Sequence, residues 1–569
     1  MKIDMSKINQ KKVNLKFNIL AVVSICIFVI GIVSKTLQND TFYTIPLGKY
    51  VLENGIDMIE HFSWHEGLIY TYPHWLYDIG IYLIYNQFGF IGIYISSIVL
   101  CAILGLSIYF IASKISKNNL ISFFITLLIM FLGRGYITAR AQLVTFILFT
   151  WTIFFIEKFL ETKKIRYAVP LILIPIAVAN VHAAVFPFYF ILYLPYIGEY
   201  IIAIIAEKKN FIFKILLKSD KREINKLLEK DKLDEKQKEK LNKYTNRVEK
   251  NEKKLKEKEE LQKNGLNKPY KIIIERNNNV KWLILIMIVC AFTGFLTPIG
   301  DTPYTYLVHT MQGNTTGNIG EHLPLTIFSS KETLIFFAVI LGMLILTDTK
   351  MKLHDFFMLF GLMLLSFMSR RQLSMFMFIG IYAINNIICD YIKMHSVEED
   401  IEEAKAYIAS IIGIILTVLL ISSLTVLFMI KAKDEKIVDP KSYPIDASNY
   451  ILENLDVHNI KLFNDYNYGS YLMLRGIPEF IDSRADVYDP KFNKLEDDIF
   501  QDYMSIYTLK VYYEDKFDHY KITHVLTYKN SILANYINKT SDYKELYADD
   551  SFIIYKRVKK ENHKENKNE

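Results

Sequence analysis

"WLYDIGIYLIYNQFG", residues 75–89, decides how the rest of the chain is read. The stretch is apolar, yet shorter than the roughly 20 residues that a helix needs to cross a bilayer. If it crosses, every later segment changes sides. If it lies on the membrane surface or dips into it, the run 91–112 is the second crossing. Basic residues settle the choice, because loops on the cytoplasmic side carry an excess of Lys and Arg. Lys2, Lys7, Lys11, Lys12 and Lys16 precede the first apolar run, Phe17 to Ser34, and mark that end as cytoplasmic. With 75–89 as a surface helix, Lys114, Lys117, "EKFLETKKIR" (157–166), the charged segment 207–281 and "DTKMK" (348–352) share the same side. With 75–89 as a crossing, these basic loops would face outward, against the rule.

The composition fits a polytopic membrane protein: 569 residues, 51% hydrophobic and 14% aromatic, with several long apolar runs. The first run is too long for a signal-peptide core and lacks a small-residue cleavage site, so it is expected to stay. Membrane helices are expected near 17–36, 91–112, 120–136, 142–160, 167–182, 184–205, 282–298, 332–347, 353–368, 373–394 and 407–430, about eleven in all. The net charge of +7 comes mostly from the inner loops and does not signal nucleic acid. Cys26, Cys101, Cys290 and Cys389 all lie in apolar runs, with no metal-ligand spacing and no disulfide framework.

Two regions stand apart from this transmembrane domain, 1–430. Residues 207–281 form a Lys- and Glu-rich insert with sparse Leu, which suits a solvated helical hairpin on the cytoplasmic side. After the last membrane helix, 431–569 is expected to be an extracytoplasmic α/β domain with a disordered tail, "KKENHKENKNE". Its expected helices are "YPIDASNYILENL", "YNYGSYLMLRG" and "SILANYIN". Its expected strands are "NIKLFND", "ITHVLTYK" and "SFIIYKRV", with "PEFIDSRADVY" a strand and loop.

On this topology the outer face comprises 37–90, 134–141, 180–183, 299–331, 369–372 and 431–569. It gathers acids, histidines and arginines in short apolar surroundings, whereas the inner face is Lys-rich and solvating. Asp40, the first charge after the first helix, faces outward. A carboxylate there can act as general base on an acceptor hydroxyl or hold a divalent ion. Outer arginines can clamp a phosphate or diphosphate bidentately. Asp57, Glu60, His61, Glu321, His322, Asp482 and Arg484 are candidates for acceptor or loop contacts. His61 and His65 have i, i+4 spacing, but no further ligand motif follows them. In "IDSRADVYDP" (481–490), Asp482, Arg484 and Asp486 sit where an α/β domain binds ligands, or else an Arg–Asp pair fixes a loop. The sequence has no Ser/His/Asp order, Gly-rich phosphate loop or nucleotide-binding motif.

The order of motifs is more specific than any one of them. An outer Asp follows the first helix, then "GKYVLENGIDMIEHFSW" (48–64) and "YPHWLYDIGIYLIYNQFGFIG" (72–92). Later come "RAQLVTF", "ANVHAAVFPF", "TPIGDTPY", "EHLPL", "SRRQ" and "NYGSYL…IDSRADVY". This order resembles the GT-C superfamily of integral-membrane glycosyltransferases, including polyprenyl-phosphate-sugar-dependent members with a C-terminal soluble domain. The resemblance spans most of the chain outside 207–281. It implies Asp40 as catalytic base or metal ligand. It also implies donor-phosphate binding by Arg134, Arg140, Arg370 and Arg371, with His182 beside them. A divalent metal ion is the one cofactor it allows for. The implied activity is transfer of a sugar from a polyprenyl-phosphate donor to an outer-surface glycan, lipid or protein of the cell envelope. The expected partners are that donor, that acceptor and membrane lipid. The rivals are a glycan polymerase or ligase, a transporter and a non-catalytic scaffold. The transporter reading wants mid-membrane ionisable residues, of which there are few, with Glu199, Asp355 and Asp390 near helix ends, and internal repeats, of which the sequence shows none.

Overall fold

The computed structural model describes residues 9–229, 234–263, 271–315, 317–326 and 330–558, with the side chains of 208–213 and 258–263 outside the description. The expected disordered tail, "KKENHKENKNE", lies outside the described residues. In chain order the membrane body starts with α1 (Gln10–Ile32), α2 (Asn39–Asn54), α3 (Trp75–Ser116), α4 (Asn119–Leu132), α5 (Ala141–Thr162) and α6 (Ile165–Val181). It continues with α7 (Phe186–Ile191), α8 (Leu194–Leu228), α9 (Glu235–Lys263), α10 (Val280–Thr293), α11 (Thr302–Gln312) and α12 (Lys331–Leu346). The last four are α13 (Leu353–Met368), α14 (Leu373–Met394), α15 (Glu398–Ile408) and α16 (Ile411–Lys431).

All eleven expected segments contain helix, and they differ in length. Among the described residues, six helical stretches are long and apolar enough to cross: α1, α3, α5, Ala183–Glu207, Arg370–Met394 and α16. The apolar helices α4, α6, α10 and α13 have only 14 to 17 residues. At 1.5 Å per residue, 14 residues reach about 21 Å, short of the roughly 30 Å hydrocarbon core.

The stretch 75–89 separates from the crossing that follows it. Gly89, with φ 60° and ψ −156°, breaks α3 there, in a backbone region open essentially to glycine. The segment before it, expected as loop over 37–74, holds the 16-residue α2. Gly48 of α2 lies so close to α3 that a Cβ would sit 2.0 Å from the Asp78 carbonyl oxygen. The charged insert forms two helices, with α8 continuing unbroken from the membrane body. Arg247 of α9 bonds Asp220 of α8, and Lys221 reaches Glu252 at 2.5 Å.

The C-terminal region contains α17 (Ile445–Asn454), α18 (Gly469–Leu474), α19 (Pro490–Asn493), α20 (Ile499–Tyr507), α21 (Tyr513–His519) and α22 (Ile532–Ile537). Two short strands, β1 (Ile272–Ile273) and β2 (Met351–Lys352), pair in the body. The C-terminal sheet has β3 (Leu462–Phe463), β4 (His524–Tyr528), β5 (Tyr543–Ala548) and β6 (Phe552–Arg557) in the order β3-β4-β6-β5. β3 runs parallel to β4, and the other pairs are antiparallel. No strand forms over 478–488, contrary to the sequence pattern. The Asn464 side chain takes the place of a neighbouring strand: its Oδ1 accepts from the Phe480 N–H at 2.7 Å and its Nδ2 donates to the Ile481 carbonyl at 2.7 Å.

This region is seated on the segment 37–74. Leu68, Tyr70 and Tyr72 share one hydrophobic core with Phe480, Tyr488 and Phe517. The Trp64 indole N–H donates to the Leu462 carbonyl at 2.9 Å, and Ser63 Oγ donates to the Glu479 carbonyl at 2.8 Å. The C-terminal region thereby closes over the end of the membrane body where α2 begins.

Candidate functional site

A cavity of ≈ 590 Å³ lies beneath that seat. Its walls come from distant parts of the chain: Asp40 from α2, Arg140 before α5, His182 after α6, Glu321 and His322 before α12, Arg371 before α14, and Asp486 from the C-terminal region. The volume suits a small polar headgroup.

Asp40 sits in the first turn of α2, where the partial positive charge of the helix terminus favours a carboxylate. Its Oδ2 lies 3.0 Å from Arg140. The other side of the Arg140 guanidinium meets both Glu321 carboxylate oxygens at 3.3 Å. Burial alone would lower the Arg140 pKa; the charges of Asp40 and Glu321 outweigh it and keep the guanidinium firmly protonated. Glu321 is held below its ordinary range, burial being outweighed by Arg140 and Arg371. The Arg140 Nε is buried with no partner among the described residues.

Arg371 differs. Its backbone N–H donates to the Glu321 carbonyl at 2.9 Å, which fixes the residue in place. Its guanidinium lines the cavity and makes no ion pair or hydrogen bond among the described residues. Two imidazoles beside it are neutral. His182 is buried against Thr145 at 3.0 Å; burial, then the charges of Arg371, His74 and Arg140, hold its pKa far below the ordinary value. Burial and Arg371 bring His322 down to about 4.

A second set of groups enters from the C-terminal side. Asp486 lines the cavity, and burial raises its carboxyl to about 6 against the pull of Arg484 and His74. His74 bonds Asp78 at 3.0 Å through Nδ1 and sits 3.2 Å from the Tyr43 hydroxyl through Nε2. Burial lowers its pKa, but Asp78, Asp486 and Asp40 more than compensate, so it is raised overall. Tyr43, Tyr70, Tyr306 and Tyr466 supply aromatic surface with polar tips.

The structure therefore gathers Asp40, Arg140, His182, Glu321, His322 and Arg371 in one place. Other candidates lie elsewhere. Arg134 turns back to the Phe131 carbonyl at 2.8 Å and lies over the Phe131 ring. Arg370 bonds the Pro324 carbonyl at 3.3 Å. Asp57 and His61 pair at 2.7 Å on the surface with Tyr50. Asp482 and Glu60 are buried, and both bind Arg484, at 2.5 Å and 2.8 Å. Arg484 borders the cavity, but its Nε and Nη2 are bound within this nest, as in a loop-fixing Arg–Asp pair, while its Nη1 is buried with no partner among the described residues. Asp486 belongs to the cavity; its place in "SRADVY" was the only sequence signal. Among the described residues no group of three or more His, Cys, Asp or Glu is arranged to hold a metal ion.

No family model and no curated protein sequence matches the chain. Among solved structures it is similar to the oligosaccharyltransferase of Archaeoglobus fulgidus in the apo form, with a TM-score of 0.51 and 9% identity. The match covers 90% of this chain and 69% of that one. At this identity the likeness is one of fold.

Proposed function

We propose that the protein is a membrane glycosyltransferase of the GT-C type, taking a sugar from a polyprenyl-phosphate donor and passing it to a cell-envelope glycan, lipid or protein. The N-terminus would be cytoplasmic and the cavity would open to the exterior. The observation that carries this reading is the juxtaposition of the Asp40–Arg140 pair with the unpaired Arg371 in one cavity.

Arg371, with no ion pair among the described residues, is the cation that a phosphate would meet first. Arg140 is shared: a bound phosphate competes with Asp40 for its N–H groups and loosens the carboxylate. The acceptor oxygen attacks the anomeric carbon as the bond from that carbon to the phosphate oxygen breaks. The electron pair leaves on the phosphate, facing Arg371 and Arg140, and the acceptor proton passes to Asp40. A metal ion, if bound, would add a further positive charge at the phosphate.

Lipid mass spectrometry of cells lacking the protein, complemented with wild type or Asp40→Asn, tests this. Accumulation of a polyprenyl-phosphate sugar in the deletion and the Asn strain is expected. Unchanged lipid-linked sugar pools in the deletion would contradict it. The fold likeness to an oligosaccharyltransferase favours a second reading, an oligosaccharide donor, and the mass of the accumulated lipid separates the two.

A further inference from the structure

A second cavity, of ≈ 340 Å³, lies at the other end of the same helices. Gln142 of α5 lines the first cavity and Glu157 of α5 lines the second, about 22 Å further along the helix axis. Lys114 and Lys117 enter from the end of α3, and His354 from the start of α13. The proposed sugar-transfer chemistry makes no use of this site.

Most of its charges are paired. Lys158 bonds Glu161 at 2.6 Å, Lys352 approaches Glu275 at 3.6 Å, and Glu199 bonds both His354 and the Glu275 N–H. Four groups are left over among the described residues. Glu157 accepts the Tyr196 hydroxyl on Oε1 at 2.8 Å and lies 3.9 Å from His354 Nε2 through the same oxygen, while its Oε2 has no partner among the described residues. Tyr200, 5% exposed, has a buried hydroxyl with no partner. Lys114 and Lys117 make no ion pair. A simple anion would face Glu157 and Glu199 across the space, and a simple cation would face two ammonium groups. A ligand carrying both signs satisfies both walls.

We propose that this second cavity binds a phosphate bearing a primary amine, of the kind a phosphatidylethanolamine headgroup presents. The ammonium meets Glu157 Oε2 and the Tyr200 hydroxyl; the phosphate meets Lys114 and Lys117. Lys114 lies 5.6 Å over the Phe110 ring, and Phe110 is 42% exposed, so apolar surface adjoins the cavity where acyl chains can lie.

Native mass spectrometry of the full chain in detergent tests this, with phosphatidylethanolamine, phosphatidylcholine and phosphatidylglycerol of identical acyl chains offered together. The ethanolamine lipid is expected to be retained about tenfold over the choline lipid, the weight of one charge-assisted hydrogen bond. Glu157→Gln should remove that preference. Lys114→Ala with Lys117→Ala, both at exposed positions, should reduce ethanolamine-lipid retention with folding unchanged. Soluble phosphoethanolamine is offered separately: binding of it without lipid retention would assign the same chemistry to a soluble ligand. Asp40→Asn should retain lipid as wild type does, which keeps this test independent of the sugar-transfer reading. Equal retention of the three lipids with no phosphoethanolamine binding, or an undiminished preference in Glu157→Gln, would overturn the proposal.

Discussion

Arg371 and Arg484 border the same cavity, but one guanidinium is unpaired and the other is buried among carboxylates. Their substitutions should separate cleanly. Arg371→Ala should leave thermal stability within about 0.5 kcal/mol of wild type while lowering transfer by about 10²- to 10³-fold, as loss of one transition-state charge contact does. Arg484→Ala strands Asp482 and Glu60 without their cation and should cost about 3–5 kcal/mol, seen as a fall in the unfolding midpoint. A pH titration of stability checks Asp486. Burial raises its folded pKa to about 6 from the ordinary 3.8. Between those values the folded chain binds more protons than the unfolded one, so this contribution is full below the ordinary pKa and lost as pH rises through about 6. Asp486→Asn should therefore gain in midpoint relative to wild type as pH climbs from 4 to 7, then hold level; a constant gap would contradict it. At this scale Asp40, Arg140 and Arg371 were legible because charges at helix ends in apolar sequence need a reason. The loop-fixing pair of Asp482 and Arg484 was legible too, but its third member, Glu60, was not, because it lies 424 positions away.

Element by element, legibility followed periodicity. The boundary near residue 89 was readable from the length of 75–89, and Gly89 supplies the break there. Helix α2 was not readable: it mixes polar residues with a proline, Pro46, and is held by packing against α3. Strand character over 478–488 was misjudged because the side chain of Asn464 does what a neighbouring strand would. The close crossing of α2 and α3 at Gly48 positions Asp40 on one helix relative to His74 and Asp78 on the other. Gly48→Ala forces backbone apart there and should destabilise by about 1–3 kcal/mol, with transfer reduced as well; calorimetry alongside the transfer assay checks both.

Across the whole molecule the two cavities occupy opposite ends of α5, which is the arrangement expected of a body that spans a bilayer. Six helical stretches among the described residues have the length and composition of a crossing, and four further apolar helices are only 14–17 residues long. Sidedness is the claim on which the mechanism depends: Asp40 and Arg371 must open to the exterior together, and Lys117 to the interior. The four native cysteines are buried or half-buried, so they give little background. Single cysteines at positions 40, 371 and 117, probed with a membrane-impermeant maleimide on intact cells, test it most directly. Labelling at 40 and 371 from outside, with 117 labelled only after permeabilisation, is the expected result; labelling of 40 and 371 from opposite sides would contradict the account.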